Sequence, residues 1–234
     1  MTAEPALHIS APPAAVRAVA LVLHGGRAHG MGRVRAHQLA VVRMRPFGSA
    51  MRSAGWPFGL AVAALRYAVR GWNGAAQSPV ADVRWALDRL WARFPDTPVA
   101  LVGHSMGGRA ALHAAGHEAV RAVAGLAPWI EPADSVDQLA GRHLLVVHGD
   151  HDRVTSAPRS AAFARRAAQV ARSVGYVTVH GERHAMLHRA RLWHDLCTGW
   201  VLARMCDVPP AETVAGTTVE FLERMLAGEP AISV

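Results

Sequence analysis

Six short apolar runs punctuate the chain: Ala18–Leu23 (AVALVL), Leu60–Leu65 (LAVAAL), Val99–Val102 (VALV), Val120–Leu126 (VRAVAGL), Leu144–Val147 (LLVV) and Tyr176–Val179 (YVTV). Each is bounded by Gly, Pro or polar residues and is too short for a helix. Their length and β-branched content predict strands buried on both faces. Between them the apolar period changes to that of a helix. Val83, Ala86, Leu87, Leu90, Trp91 and Phe94 form one stripe, with Ser78-Pro79 as N-cap and first turn. Phe163, Ala167 and Val170 follow Ser156; Leu192, Leu196, Trp200 and Ala203 form a third stripe; Ala215, Val219, Leu222 and Leu226 form a last one beyond Pro209. In the segment from Arg35 to Ala54, Pro46 is expected to start, kink or stop a helix.

Strands alternating with helices imply a mostly parallel twisted α/β sheet of about six to seven strands, with right-handed crossovers and helices on both faces. No linker, repeat or low-complexity tract divides the chain, so residues 1–234 are expected to form a single domain. In such sheets ligands lie outside the carboxyl ends of the strands, and chemistry is to be sought just after each apolar run.

Composition narrows the chemistry. The 234 residues include 25 basic ones, every one an arginine. Without lysine there is no Schiff-base enzyme, pyridoxal-phosphate lysine or P-loop lysine. The formal charge of +8 could attract anionic substrates, membranes or nucleic acid. The arginines are scattered, however, without a basic block interleaved with aromatics, so nucleic acid is not expected as a partner. Cys197 and Cys206 are nine positions apart. On one helix they would face opposite ways at about 13 Å, too far for a disulfide. Two free thiols, no secretion signal and no apolar stretch of spanning length point to a cytoplasmic protein.

After the third run comes Gly103-His104-Ser105-Met106-Gly107-Gly108, a G-x-S-x-G with one further glycine. Chance supplies about 0.08 such matches in a chain of this composition. A strand before it and an alanine-rich helix after it are what a sharp turn displaying a serine requires. The first run ends in His24-Gly25-Gly26-Arg27, the fifth in His148-Gly149-Asp150-His151-Asp152, the sixth in His180-Gly181-Glu182-Arg183-His184.

With these motifs in order, the chain resembles the α/β-hydrolase superfamily over nearly its whole length. The resemblance implies a triad ordered Ser, acid, His. Ser105 would be the nucleophile. Asp152 would be the acid, with Asp150 as a rival more suited to stabilising the turn. His184 would be the base, with His180 and His188 as structural neighbours. The backbone N–H groups of Gly26 and Met106 would form the oxyanion hole, with His24 bracing the turn. The implied reaction is acyl transfer through an acyl-enzyme, needing no metal or cofactor. His113 and His117, at i, i+4, lack a third ligand and read as a helix face.

Relatives often carry a cap domain after the strand that matches Val120–Leu126. Here Pro128 to Gly141 leaves room for one short helix, so a capless, open site is expected. Loop residues Arg66, Tyr67, Arg70, Trp72 and Trp129 are candidates for its walls; of these Tyr67, Trp72 and Trp129, with Arg27, are the candidate substrate contacts. Plain packing explains the aromatic residues equally well. The basic segment from Arg27 to His37 could hold a carboxylate or phosphate, although a mobile loop is the simpler account. The leading function is a serine esterase acting on a small acyl substrate. An acyltransferase, thioesterase or perhydrolase would use the same triad. The reading of another class is a non-catalytic module binding an anion or nucleic acid. The oligomeric state is left open.

Overall fold

The computed structural model describes residues 3–234. All six predicted strands form: β2 (Ala18–Leu23), β3 (Leu60–Arg66), β4 (Val99–His104), β5 (Val120–Leu126), β6 (His143–Gly149) and β7 (Ser173–Val179). Two more, β1 (Ala6–Ser10) and β8 (Ala231–Ser233), bring the sheet to eight strands in the order β1-β3-β2-β4-β5-β6-β7-β8. The expectation of six to seven is corrected at the edges. β1 lies antiparallel to β3, with Ala6 opposite Arg66, and β8 pairs three residues of β7. Edge strands bury one side at most, so neither carries the continuous apolar run that marks the central six.

Alternation along the strands divides the core in two. Val19, Leu21 and Leu23 meet α2 (Ser78–Arg93), α3 (Met106–Ala114) and α4 (Ala157–Ala167) on one face. Ala18, Ala20 and Val22 meet α1 (Leu39–Gly55), α5 (Ala190–Cys206) and α6 (Thr217–Leu226) on the other. Helix α1 continues through Pro46, so the proline neither starts nor stops it. Pro46 is exposed, while Met44, Phe47, Met51 and Gly55 on the inner face are buried. Burying those side chains offsets the roughly 3 kcal/mol that an interior proline costs.

Cys197 and Cys206, both on α5, are free and buried. No described helix is long and apolar enough to cross a membrane. The connection from β5 to β6 contains a single 3₁₀ turn, Asp137–Leu139, and no cap. The carboxyl ends of β2, β4, β6 and β7 therefore open on one uncovered rim, and the four motifs lie there.

Candidate active site

Ser105 stands between β4 and α3 at φ 56°, ψ −118°, a region that side-chain-bearing residues rarely adopt and that costs about 1–3 kcal/mol. The glycines around it make the turn possible. A Cβ on Gly103 would fall 2.3 Å from the Gly107 carbonyl oxygen; one on Gly107 would fall 2.5 Å from that of His24 and 2.6 Å from that of Leu23. The Ser105 N–H donates to the Leu126 carbonyl at 3.0 Å, and the Trp129 N–H donates to the Ser105 carbonyl at 3.1 Å. Strain at one residue is thus held by backbone on three strands. Gly107→Ala is expected to cost more than about 3 kcal/mol, because only backbone could move to admit the methyl. Urea unfolding checks this, and a variant within about 0.5 kcal/mol of the wild type would contradict it.

The turn after β2 packs directly on that elbow. A Cβ on Gly25 would lie 3.5 Å from Ser105 Cβ, and one on Gly26 only 2.3 Å from Met106 Cε. Among the described residues, neither the Gly26 nor the Met106 N–H donates to a protein acceptor. Met106 opens α3, where N–H groups have no partner within the helix. His24 braces the turn: its Nδ1–H donates to the Gly25 carbonyl at 2.6 Å, and its Nε2 accepts from the Tyr67 N–H at 3.2 Å.

Asp152 and His184 come together at the ends of β6 and β7. The His184 Nδ1–H donates to Asp152 Oδ2 at 2.8 Å. The same oxygen accepts from Thr155 Oγ1 at 2.8 Å and lies 3.2 Å from His148 Nε2. Asp152 Oδ1 accepts from the N–H groups of Val154 and Thr155 at 2.7 and 3.0 Å. Burial of this carboxylate works against its charge. The bonds from His148 and His184, then those from Thr155 and Val154, outweigh burial and hold its pKa well below the usual carboxylate range. Asp150, the rival acid, instead accepts from His180 Nδ1 at 2.8 Å and from the Gly181 N–H at 2.7 Å.

Ser105 Oγ and His184 Nε2 make no hydrogen bond among the described residues, to each other or to a third group. They are neighbours through the chain beside them. His104, next to Ser105, donates from Nε2 to the His184 carbonyl at 3.0 Å, and the two rings lie 4.7 Å apart.

Several supporting residues carry no motif that sequence reasoning could use. His148 is fully buried; its Nδ1 lies 2.7 Å from Ser160 Oγ, which also reaches the Tyr176 hydroxyl at 3.4 Å. A buried polar line therefore runs from Tyr176 to Asp152. The spacing His148–Asp152 was visible as i, i+4, but only the strand-to-loop bend turns it into contact. Glu182, fully buried, accepts from the N–H groups of Arg183 and Arg189 at 2.9 and 2.8 Å and so closes the loop that carries His184. Arg43 of α1 donates to the Ala185 carbonyl in the same loop.

The expected walls require correction. Tyr67 is fully buried, edge-on to His24, and cannot meet a substrate. Trp72 is also buried, with the Arg109 guanidinium 4.2 Å from its ring and 4.7 Å from that of Trp129. Arg109 in turn makes a two-pronged pair with Asp134, which also binds His113. These aromatics pack around α3 because the cation and its buried carboxylate need cover from water. Trp129 is half-buried in the same cluster, and Arg27 is exposed beside Gly26.

Burial depresses the pKa of His24 to about 4 and that of His104 to about 3. Arg66 adds to the effect on His24, and His184 and Arg43 to that on His104. Both imidazoles are neutral when folded, whereas in an unfolded chain they take up protons near pH 6.5. Unfolding is then favoured by protonation, so stability is expected to fall by several kilocalories per mole as pH drops from about 6.5 to 4. Urea midpoints across that window check the sign; a flat profile from pH 7.5 to 5 would contradict it.

A family model described as alpha/beta hydrolase fold matches residues 44–178, more than half of the chain. A search of curated proteins finds no match. Among solved structures, Est1E from Butyrivibrio proteoclasticus is similar at TM-score 0.65 and 16% identity, over 86% of this chain and 94% of that one. An α/β serine hydrolase without lid from Xanthomonas campestris is similar at TM-score 0.64 and 16% identity, over 88% and 91%. A serine hydrolase homologue from Coxiella burnetii follows at 0.60 and 17%, over 83% and 90%. With the sheet order, the uncovered rim and the strained serine turn, these matches place the chain in the α/β-hydrolase fold family.

Proposed function

We propose that the chain is one catalytic domain, a serine hydrolase that cleaves carboxylic esters through an acyl-enzyme. The observation that carries this reading is the Asp152–His184 pair beside the strained Ser105 turn. His184 takes the Ser105 proton as Oγ attacks the ester carbonyl. Asp152 holds Nδ1 protonated and balances the imidazolium. The Gly26 and Met106 N–H groups receive the developing oxyanion, worth about 3 kcal/mol each by analogy with other acyl-transfer enzymes. The leaving alcohol takes the proton back from His184. Water, deprotonated by the same imidazole, then attacks the acyl-enzyme, and as the acid is released the imidazolium returns that proton to Ser105 Oγ. Every proton is accounted for within these groups, and no cofactor enters.

Water is favoured over another acyl acceptor because the short β5–β6 connection leaves the rim uncovered. A binding module would need neither the strain at Ser105 nor a buried carboxylate-imidazole pair. Free cysteines accord with a reducing compartment, the cytoplasm.

The test is fluorophosphonate labelling with a p-nitrophenyl ester series of increasing acyl length. Modification at Ser105 and turnover of short esters are expected. A protein that neither labels nor turns over any ester would overturn the assignment, and preferential turnover of acyl thioesters would move it to a thioesterase.

A further inference from the structure

We propose that the cleft recognises a negative charge on the acyl part of its ester, through Arg27 and Arg70. The inference rests on the acyl-enzyme reading above and adds a substrate class to it.

The segment that carries Arg27 is firmly tied down, contrary to the expectation of a mobile loop. Arg27 N–H donates to the Arg70 carbonyl at 3.0 Å and Trp72 N–H to the Arg27 carbonyl at 2.9 Å. Further along, Gly71 N–H donates to Gly30, Asn73 N–H to Ala28 and Arg70 N–H to Gly32, all within 3.1 Å. Asn73 Oδ1 accepts from the Gly30 N–H at 2.9 Å. A Cβ on Gly71 would lie 2.3 Å from the Gly30 nitrogen, so the two segments touch backbone to backbone. Both arginines are therefore presented from a fixed frame, and that frame is continuous with the Gly25-Gly26 turn.

Arg27 and Arg70 share a cavity of about 360 Å³ with Gly25, Gly26, Gln38 and Leu39. Among the described residues no carboxylate lines it, and neither arginine makes an ion pair. Of the chain's 25 arginines, Arg109, Arg159, Arg191 and Arg224 meet an acid, and Arg27 and Arg70 belong to the larger number that do not. Arg70 Nε donates to the Arg33 carbonyl at 3.2 Å, and the Gln38 amide, turned with its oxygen inward, accepts from Arg70 Nε and Nη2 at 2.9 Å. These neutral acceptors orient the guanidinium and leave its charge uncompensated. One oriented guanidinium, that of Arg70, and a second, exposed one carried on a fixed backbone at Arg27 line the same cavity without a carboxylate partner. Together they suit a carboxylate or a phosphate, both of which match their planar fork.

The acyl side follows from the chemistry. The leaving oxygen must meet His184 to be protonated, so the alcohol lies on the His184 flank. That flank has its own cavity of about 540 Å³, which shares no lining residue with the arginine cavity. The acyl group is left to run past Gly25 and Gly26, towards Arg27 and Arg70.

The experiment uses the full chain and three p-nitrophenyl esters of matched acyl length: hexanoate, monoadipate and 5-phosphonopentanoate. The wild type is expected to favour an anionic ester over hexanoate by about tenfold or more in kcat/KM. Preference for adipate assigns a carboxylate, and preference for the phosphonate assigns a phosphate. The double variant Arg27→Gln/Arg70→Gln should bring the ratio of anionic to neutral kcat/KM close to one, chiefly through KM. Equal rates in the wild type, or an undiminished preference in the double variant, would overturn the proposal. If no ester is turned over and Ser105 does not label, the hydrolase reading fails separately. Calorimetry with adipate then decides the subsite: binding lost in the double variant upholds it, and absence of binding to the wild type removes it.

Discussion

Ser105→Ala is expected to lower kcat on p-nitrophenyl esters by about a million-fold, as for nucleophile removal in other serine hydrolases, while the protein stays folded. Both halves follow from the turn. The hydroxyl makes no hydrogen bond among the described residues, so its removal leaves no donor or acceptor orphaned. The backbone conformation at φ 56° is as costly for alanine as for serine, and the surrounding carbonyls and glycines that impose it are untouched. Unchanged circular dichroism and a urea midpoint close to wild type are therefore expected, alongside lost activity and lost fluorophosphonate labelling. Residual turnover above about one per cent would show that another group attacks the carbonyl.

Asp152→Asn is expected to reduce kcat by about 10⁴-fold and, unlike the serine variant, to destabilise the fold. The native carboxylate is an acceptor on both oxygens: Oδ1 for the Val154 and Thr155 N–H groups, Oδ2 for Thr155 Oγ1 and the His184 Nδ1–H, with His148 Nε2 at 3.2 Å. An amide offers one acceptor and one donor. If its oxygen stays with the two backbone N–H groups, its NH₂ meets His184, and the imidazole must present a bare Nδ1. Nε2 then carries the proton and cannot accept one from Ser105. If the amide flips, the NH₂ faces two backbone donors, a clash of like partners in a buried place. Either arrangement leaves buried groups unsatisfied, at a cost of about 1–3 kcal/mol each. In the wild type the depressed carboxyl pKa keeps Asp152 ionised at any pH above about 4, so it adds no acid limb there to the activity profile. Wild-type kcat in the asparagine variant would mean that Asp152 serves the loop alone.

The apolar runs made β2 to β7 legible because a strand covered on both faces has no polar positions to interrupt it. β1 and β8 escaped because edge strands have such interruptions. The start or stop expected at Pro46 failed for a related reason: a local cost was visible, whereas the buried face of Met44, Phe47 and Met51 that outweighs it comes from packing on the sheet. At the site, Ser105, Asp152 and His184 could be named because each follows a strand end in a fixed order. His148, Glu182, His104 and Arg43 could not. Each acts by bonding across the rim to a loop distant in sequence or folded back on itself, and residue type alone does not reveal that.

The aromatic residues show the same division. Tyr67 and Trp72 follow a strand end as surely as Ser105 does, yet both turn into the core. Position in the chain set which loops reach the rim; side-chain direction within a loop was settled by what lay beneath, His24 under Tyr67 and the Arg109–Asp134 pair under Trp72. By itself, the sequence determined the α/β class, the six central strands, the capless rim and the serine turn, since these depend on local pattern and spacing. Tertiary structure alone decided the eight-strand width, the second imidazole on Asp152, the fixing of the Arg27 loop and the unpaired charge of Arg27 and Arg70. Those properties are sums of contacts between segments, and their energies do not exist until the segments meet.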